Sequence, residues 1–201
     1  YTNVCVNRCR FCAFSRTPEQ ANHESAFTLT RDQVLEKLAQ GGLPFSEVHI
    51  VGGCHPALGL EYFLDIIRAV KAEHPGITVK AFTAVEIAHF AKLEGISVKE
   101  VLGRLKQAGL AMLPGGGAEI FAPEVREKIC PEKLSGKDWL RVAGQAHELG
   151  IPGNCTMLFS HVETELQRLE HLDMLRKQQD ATGGFVCFIP LPFLTAHSAL
   201  K

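Results

Sequence analysis

The chain has 201 residues, of which 46% are apolar, and it carries 21 basic against 22 acidic residues. This length and apolar content suffice for one domain with a sizeable core, which excludes a mini-protein or a disordered tail. The near-zero net charge predicts no attraction to nucleic acid or to an anionic membrane, so we expect small-molecule partners. No apolar run approaches the roughly 18 residues that span a bilayer, and no targeting segment opens the chain.

The seven cysteines are an odd number in a chain too large to need disulfide staples. We therefore expect reduced thiols or metal ligands, and a cytoplasmic location. The first residue, Tyr1, already resembles the end of a strand, and the chain stops soon after the last predicted strand. We expect residues 1–201 to form a single domain that is a fragment of a longer chain, truncated at both ends.

Six short apolar, β-branched runs alternate with segments of helical period, which predicts repeated βα units around a parallel sheet. In chain order, the predicted strands are 1–4, 48–51, 77–82, 110–113, 155–159 and 185–189. Thr30, Ser97 and Ser135 are predicted to start helices, because each precedes an amide or carboxylate residue by three positions. The expected fold is α/β, a partial (β/α)6 TIM-like barrel, although an open doubly wound sheet has the same periodicity.

Both folds place the functional site at the carboxyl ends of the strands, and the first strand runs into the sequence CVNRCRFC at residues 5–12. Cys5, Cys9 and Cys12 have the spacing C-x3-C-x2-C, which can hold three irons of a cubane cluster and leave the fourth iron open. Arg8 and Arg10 would place positive charge beside it. A structural zinc site made from the same cysteines and His23 is the alternative. The other four cysteines are predicted to be ordinary buried thiols.

The cysteine spacing, Phe11 before the last cysteine and the position after a first strand resemble the radical S-adenosylmethionine (SAM) superfamily. The resemblance implies a 4Fe–4S cluster on Cys5, Cys9 and Cys12, with SAM bound at the open iron beside Phe11. It also implies cleavage of SAM into methionine and a 5′-deoxyadenosyl radical. The electron would come from a donor such as flavodoxin or ferredoxin.

The next three strand ends carry further candidates for binding SAM. Gly52 and Gly53 follow the second strand, where the missing Cβ lets a ligand approach the backbone. Glu86 follows the third strand, either in a capping box with Thr83 or as a SAM ligand. Glu119 follows three glycines after the fourth strand, and the resemblance implies a contact with the ribose or amino group of SAM.

The last two strand ends complete the predicted site. Thr156 lies in a segment that resembles the part of the superfamily facing adenine, although Ser160 stands where glycine is usual. His161 and Glu163 are the candidate catalytic residues for substrate contact or proton transfer. Pro190 ends the sixth strand, where backbone atoms can contact the adenine edge.

The motifs GGCHP (52–56), FTAVE (82–86) and HVET (161–164) together resemble the aminofutalosine synthase family of the futalosine pathway of menaquinone biosynthesis. The resemblance implies a transferase that adds the 5′-deoxyadenosyl radical to 3-[(1-carboxyvinyl)oxy]benzoate and forms 6-amino-6-deoxyfutalosine. His55 and Arg126 are the candidate ligands of the substrate carboxylates. The alternatives are a cyclic dehypoxanthine futalosine synthase, an FO synthase-type enzyme and a non-catalytic iron–sulfur or zinc module.

Overall fold

The computed structural model describes residues 1–42, 44–195 and 198–200. Within these ranges the strands are β1 Glu47–Ile50, β2 Thr78–Ala81, β3 Gly153–Phe159 and β4 Phe185–Pro192. The helices are α1 Arg31–Ala39, α2 Leu60–Glu73, α3 Ala84–Glu94, α4 Val98–Ala108, α5 Pro123–Ile129, α6 Gly136–Glu148 and α7 Glu165–Thr182. A short 3-10 helix, Pro18–Gln20, precedes α1. No helix among them combines the length and apolar character needed to cross a membrane.

Two parallel strand pairs, β1 with β2 and β3 with β4, form the sheet elements of the fold. Residues 110–113 connect the pairs, because Ala81 N–H donates to the Met112 carbonyl (3.1 Å) and Leu113 N–H donates to the Pro152 carbonyl (2.9 Å). On the other side of β1, Gly53 N–H donates to the Thr2 carbonyl at 2.8 Å. The extended segments therefore neighbour one another in sequence order, which agrees with the predicted partial barrel.

Two of the six predicted strands are corrected, because residues 1–4 and 110–113 form no continuous strand. They make only isolated bridges, such as Val4 with Arg16 and Lys80 with Met112, and single bridges are too few for a continuous ladder. The other four predictions match β1 to β4 with shifted ends. The largest shift is at β4, which continues to Pro192.

The core of the fold lies between α2 and the β1–β2 pair. Phe63, Ile66, Ile67 and Val70 recur at helical spacing on α2, and each is at most 1% exposed, as the periodicity predicts. Phe63 stacks on Phe90 of α3 with ring centroids 3.9 Å apart. Burial of this face stabilises the strand ends that carry the site.

The three predicted helix caps are confirmed. The side chains of Thr30, Ser97 and Ser135 each accept a hydrogen bond from the backbone N–H three residues on. Each bond satisfies a donor that would otherwise have no partner in the first turn. These caps define where α1, α4 and α6 begin.

Candidate active site

A cavity of about 300 Å³, which we call the cysteine pocket, is lined by Cys5, Cys9 and Cys12. All seven cysteines of the chain are free. The other predicted site residues that line the pocket are Phe11, Gly52, Gly53 and Glu86. The structure thus brings together the cysteine loop and the ends of the next two strands, as expected for carboxyl ends that share one rim.

The cysteine loop is held by its own backbone and by the end of α5. Cys12 N–H donates to the Cys9 carbonyl at 3.1 Å, which closes a turn between the second and third cysteines. Arg10 N–H donates to the Ile129 carbonyl at 2.9 Å. The loop therefore presents its thiols from a fixed backbone.

The thiols differ in acidity because their surroundings differ. A hydrogen bond from Cys54 lowers the pKa of Cys5 to about 6, against an opposing effect of burial. Burial raises the pKa of Cys9 to about 12, and the ammonium of Lys133 only partly offsets this. Cys5 is thus already disposed to the thiolate form, whereas a metal would have to displace the proton of Cys9.

The donor set fits an iron–sulfur cluster better than a single ion. Three soft thiol ligands on one loop line one cavity, and in a cubane each binds a different iron. In the described part of the chain, no three His, Cys, Asp or Glu residues lie close enough together to hold one metal ion. His23, the fourth ligand of the zinc alternative, does not line the pocket, and its Nδ1 lies 2.8 Å from Ser25 Oγ.

Glu86 connects three elements beside the pocket. Its Oε1 accepts from the Tyr1 hydroxyl (2.6 Å) and from Gly52 N–H (3.2 Å). Its Oε2 accepts from the N–H (2.8 Å) and the hydroxyl (2.7 Å) of Thr83, so the predicted capping box is confirmed. Burial raises the pKa of Glu86, although these four donors lower it. Contact with SAM stays a prediction for a carboxylate that already has four internal donors.

The glycines after β1 are required by packing of the protein on itself. A Cβ on Gly53 would overlap the carbonyl of Val4, and one on Gly52 would lie 2.7 Å from the carbonyl oxygen of Thr2. The sequence predicted these glycines for close approach of a ligand. The structure adds a second reason, because the segment that leads into the cysteines lies directly against them.

Glu119 lies in the glycine-rich loop after residues 110–113 and has a left-handed backbone, with φ of 49°. Its carboxylate does not line the cysteine pocket but lies 2.7 Å from Lys133 Nζ, with both side chains almost fully buried. The loop turns tightly at Gly117, where a Cβ would overlap Val85. The carboxylate of Glu119 is therefore buried in an ion pair, and its contact with SAM stays a prediction.

Arg126 is buried and holds the same loop. Its guanidinium donates to the carbonyls of Ala118 (2.7 Å) and Gly117 (3.3 Å), and also to those of Ile120 and Leu134. These carbonyls occupy both terminal nitrogens. Contact of Arg126 with a substrate carboxylate stays a prediction, for a guanidinium whose terminal nitrogens already have carbonyl partners.

The two predicted catalytic residues close the turn after β3 and do not line the cysteine pocket. Glu163 accepts from the N–H of Ser160 (2.6 Å), the N–H of His161 (2.9 Å) and Nε of Arg168 (2.6 Å). Burial alone would raise the pKa of Glu163. The hydrogen bonds to its carboxylate outweigh burial and lower the pKa to about 2. His161 donates from Nε2 to the Leu158 carbonyl at 2.9 Å. The structure thus gives both residues structural partners, and their catalytic roles stay predictions.

Three further predicted residues also lie outside the cysteine pocket. The hydroxyl of Thr156 donates to the Gly115 carbonyl at 2.7 Å, and Pro190 is exposed on β4. Nδ1 of His55 accepts from Ala57 N–H at 3.1 Å, and burial lowers the pKa of this histidine. Their roles in binding adenine or substrate stay predictions.

The residues that the sequence missed are Lys133 and Cys54, which both line the pocket. Arg8 and Arg10 were expected to provide the positive charge, but both are exposed and Arg8 pairs with Glu19 at 3.1 Å. Lys133 provides that charge instead. No spacing signal could reveal it, because it reaches the cysteines only through the packing of α5 against their loop.

The family model of the radical SAM superfamily matches residues 1–175. The chain is 48% identical over 193 residues to aminodeoxyfutalosine synthase of Thermus thermophilus, covering 96% of this chain and 51% of that protein. It is 43% identical to the enzyme of the same name from Streptomyces coelicolor, covering 96% and 49%. It is 41% identical to 5-amino-6-(D-ribitylamino)uracil–L-tyrosine 4-hydroxyphenyl transferase of Methanopyrus kandleri, covering 100% and 54%. The chain therefore spans about half the length of these relatives.

Solved structures share the fold at low sequence identity. The hydrogenase maturase HydG matches with a TM-score of 0.66 and 20% identity, covering 97% of this chain and 42% of HydG. Streptococcus suis SuiB bound to S-adenosylmethionine matches with a TM-score of 0.63 and 15% identity, covering 100% and 41%. These matches confirm the predicted fold class.

Proposed function

The chain belongs to the radical SAM superfamily, and from this premise we propose that it acts as an aminodeoxyfutalosine synthase. The observation that carries the proposal is the 48% identity to the Thermus thermophilus enzyme of that name, which extends over 96% of the chain. The motifs at residues 52–56, 82–86 and 161–164 point to the same group. The substrate would be 3-[(1-carboxyvinyl)oxy]benzoate, and the products would be 6-amino-6-deoxyfutalosine, methionine and carbon dioxide from the carboxyl group of the enol ether.

Enzymes of this family use a 4Fe–4S cluster and SAM. Cys5, Cys9 and Cys12 would hold the cluster, and SAM would lie in the remaining part of the cysteine pocket beside Gly52 and Gly53. When bound, the cluster supplies an electron to SAM, which starts radical chemistry. The contribution of the chain is to hold the three thiols on one fixed loop and to surround them with buried walls.

The second candidate is the transfer reaction of the Methanopyrus kandleri relative, whose name gives 5-amino-6-(D-ribitylamino)uracil and L-tyrosine as its substrates. It is favoured by an identity of 41% over the whole of this chain. The two candidates share the cofactors and differ in the second substrate. Substrate choice therefore separates them.

The test is an anaerobic assay of the intact protein after reconstitution with iron and sulfide. SAM and dithionite are supplied with either 3-[(1-carboxyvinyl)oxy]benzoate or the uracil and tyrosine pair, and products are measured by mass spectrometry. We expect 6-amino-6-deoxyfutalosine only from the first mixture, and none from a Cys9→Ala variant. A tyrosine-derived product from the second mixture alone would overturn the proposal in favour of the second candidate.

The proposal includes a reducing cytoplasmic setting and an electron carrier such as flavodoxin or ferredoxin. All seven cysteines are free, which suits a reducing compartment. We expect the electron to come from outside the chain, because the described residues that line the cysteine pocket include no one-electron donor of low potential.

A further inference from the structure

Lys133 is a lysine held in a buried position between two loops. Its Nζ lies 2.7 Å from Oε1 of Glu119 in the glycine-rich loop, and the two side chains are only 12% and 9% exposed. The same Nζ lies 5.0 Å from the ring centroid of Phe11, between the second and third cysteines of the cysteine loop. An ammonium over an aromatic face is attracted by the ring, and this attraction grows when water is excluded.

Lys133 is also the one basic residue among the described residues that line the cysteine pocket. The one acidic residue that lines it, Glu86, already accepts from Tyr1, Gly52 and Thr83. Three cysteines that become thiolates bring negative charge into this space. Burying such charge without a nearby cation is unfavourable.

We propose that Lys133 is a positioning residue of the cofactor pocket, which links the glycine-rich loop to the cysteine loop and provides the positive charge that sets the electron affinity of the cluster. Glu119 then has a defined part: it orients the ammonium and moderates its charge. The proposal rests on the cluster that family membership assigns, and it does not depend on which substrate the enzyme uses.

The two members of the pair have opposite expected effects on reduction of the cluster. Loss of the Lys133 charge removes an attraction for the incoming electron, so the cluster becomes harder to reduce. Loss of the Glu119 charge leaves the ammonium unmoderated, so the cluster becomes easier to reduce. Effects of opposite sign separate an electrostatic role from simple loosening of the pocket, which would shift both variants alike.

The experiment is a redox titration of the reconstituted intact protein, followed by electron paramagnetic resonance, for Lys133→Met, Lys133→Arg and Glu119→Gln. At a fixed solution potential we expect the ratio of reduced to oxidised cluster to fall by about tenfold in Lys133→Met and to rise in Glu119→Gln. Lys133→Arg should stay near the wild type. Lys99→Met is the matched control, because Lys99 pairs with Glu148 at 3.5 Å on the exposed surface, and it should change nothing.

Hydrogen exchange of the cofactor-free protein gives the second readout. In Lys133→Met, the backbone amides of residues 115–119 should exchange faster than in wild type or Lys99→Met, because Glu119 loses its partner. Should Lys133→Met fail to fold, the comparison of its shift with that of Glu119→Gln is replaced by one criterion: Glu119→Gln must still raise the reduced fraction. An unchanged or lowered reduced fraction in Glu119→Gln overturns the proposal, as does an unchanged one in Lys133→Met.

Discussion

The two strand pairs, β1–β2 on one side of the fold and β3–β4 on the other, differ in how completely the apolar residues around them are buried. Beside β1 and β2, Phe63 and Phe90 are each 1% exposed and stack on one another. On the other side, Val186 of β4 is 66% exposed and Leu166 of α7 is 64% exposed. Each buried Å² of apolar surface stabilises the fold by roughly 25 cal/mol, so the β1–β2 side contributes much more stability per residue.

The cysteine pocket lies against the well-packed side. Its walls come from the segment before the cysteines and from the ends of β1 and β2, where Glu86 ties Tyr1, Gly52 and Thr83 together. The predicted adenine and catalytic positions, by contrast, lie at the ends of β3 and β4. A site needs fixed supporting residues, and the described residues provide these for the cysteines.

The largest expected effect comes from removing a ring on the packed side. Phe63→Ala should lower the free energy of unfolding by about 3–5 kcal/mol, because it leaves a cavity among Tyr1, Phe82 and Phe90. Phe188→Ala on β4, where the side chain is partly exposed, should lower it by less than about 1 kcal/mol. Urea denaturation of the intact protein measures both. Equal losses would contradict the contrast between the two sides.

An intermediate effect is expected from the buried face of α7. His171 is 1% exposed, and burial lowers its pKa to about 4 from an ordinary value of 6.5. Below pH 6.5 the unfolded chain binds a proton that the folded protein does not. The free energy of unfolding should therefore fall by about 3 kcal/mol as the pH drops from 6.5 to 4.

The matched variants for this pH dependence are His171→Gln and His23→Gln. His171→Gln should flatten the loss between pH 6.5 and 4, whereas the exposed His23→Gln should retain it. Unfolding midpoints in urea across this range give the comparison. The same slope in all three proteins would show that His171 is not its source.

The smallest effect is expected at the turn after β3. Ser160 has φ of 68°, a left-handed conformation that is unfavourable for residues with a Cβ. Ser160→Gly should stabilise the fold by roughly 0.5 kcal/mol, since relief of this strain slightly exceeds the entropy that glycine adds to the unfolded chain. Thermal unfolding against Ser97→Gly, which loses a helix cap at φ of −72°, provides a control of opposite sign. Destabilisation by Ser160→Gly would contradict the strain argument.

Local features were predictable because they depend on residues close in the sequence. The cysteine spacing, the caps at Thr30, Ser97 and Ser135, and the buried face of α2 each arise within one or two turns of chain. Strand pairing was less predictable, because it depends on which segments tertiary packing brings together. Residues 110–113, for example, make only isolated bridges to their neighbours. β4 is largely exposed although its sequence is mostly apolar, so its apolar residues did not reveal its burial.

The partners of polar side chains were beyond the reach of the sequence. Glu86 was predicted to cap α3, yet its bond to Tyr1 spans 85 positions of the chain. Arg126 was predicted to bind substrate, yet the glycine-rich loop provides three carbonyls as partners for its guanidinium and Leu134 provides a fourth. His161 was predicted to be catalytic, yet the turn after β3 gives its ring a backbone acceptor.

The sequence by itself determined the family and the alternation of strands and helices, and it predicts the cluster ligands, because each of these depends on short spacings and periodic apolar positions. The tertiary structure decided which charged groups face the three cysteines. Lys133 replaced the expected Arg8 and Arg10 there, since α5 packs its following segment onto the cysteine loop while both arginines point into solvent. A buried charge takes its partner from whatever element is packed against it, and that choice is made only when the elements meet.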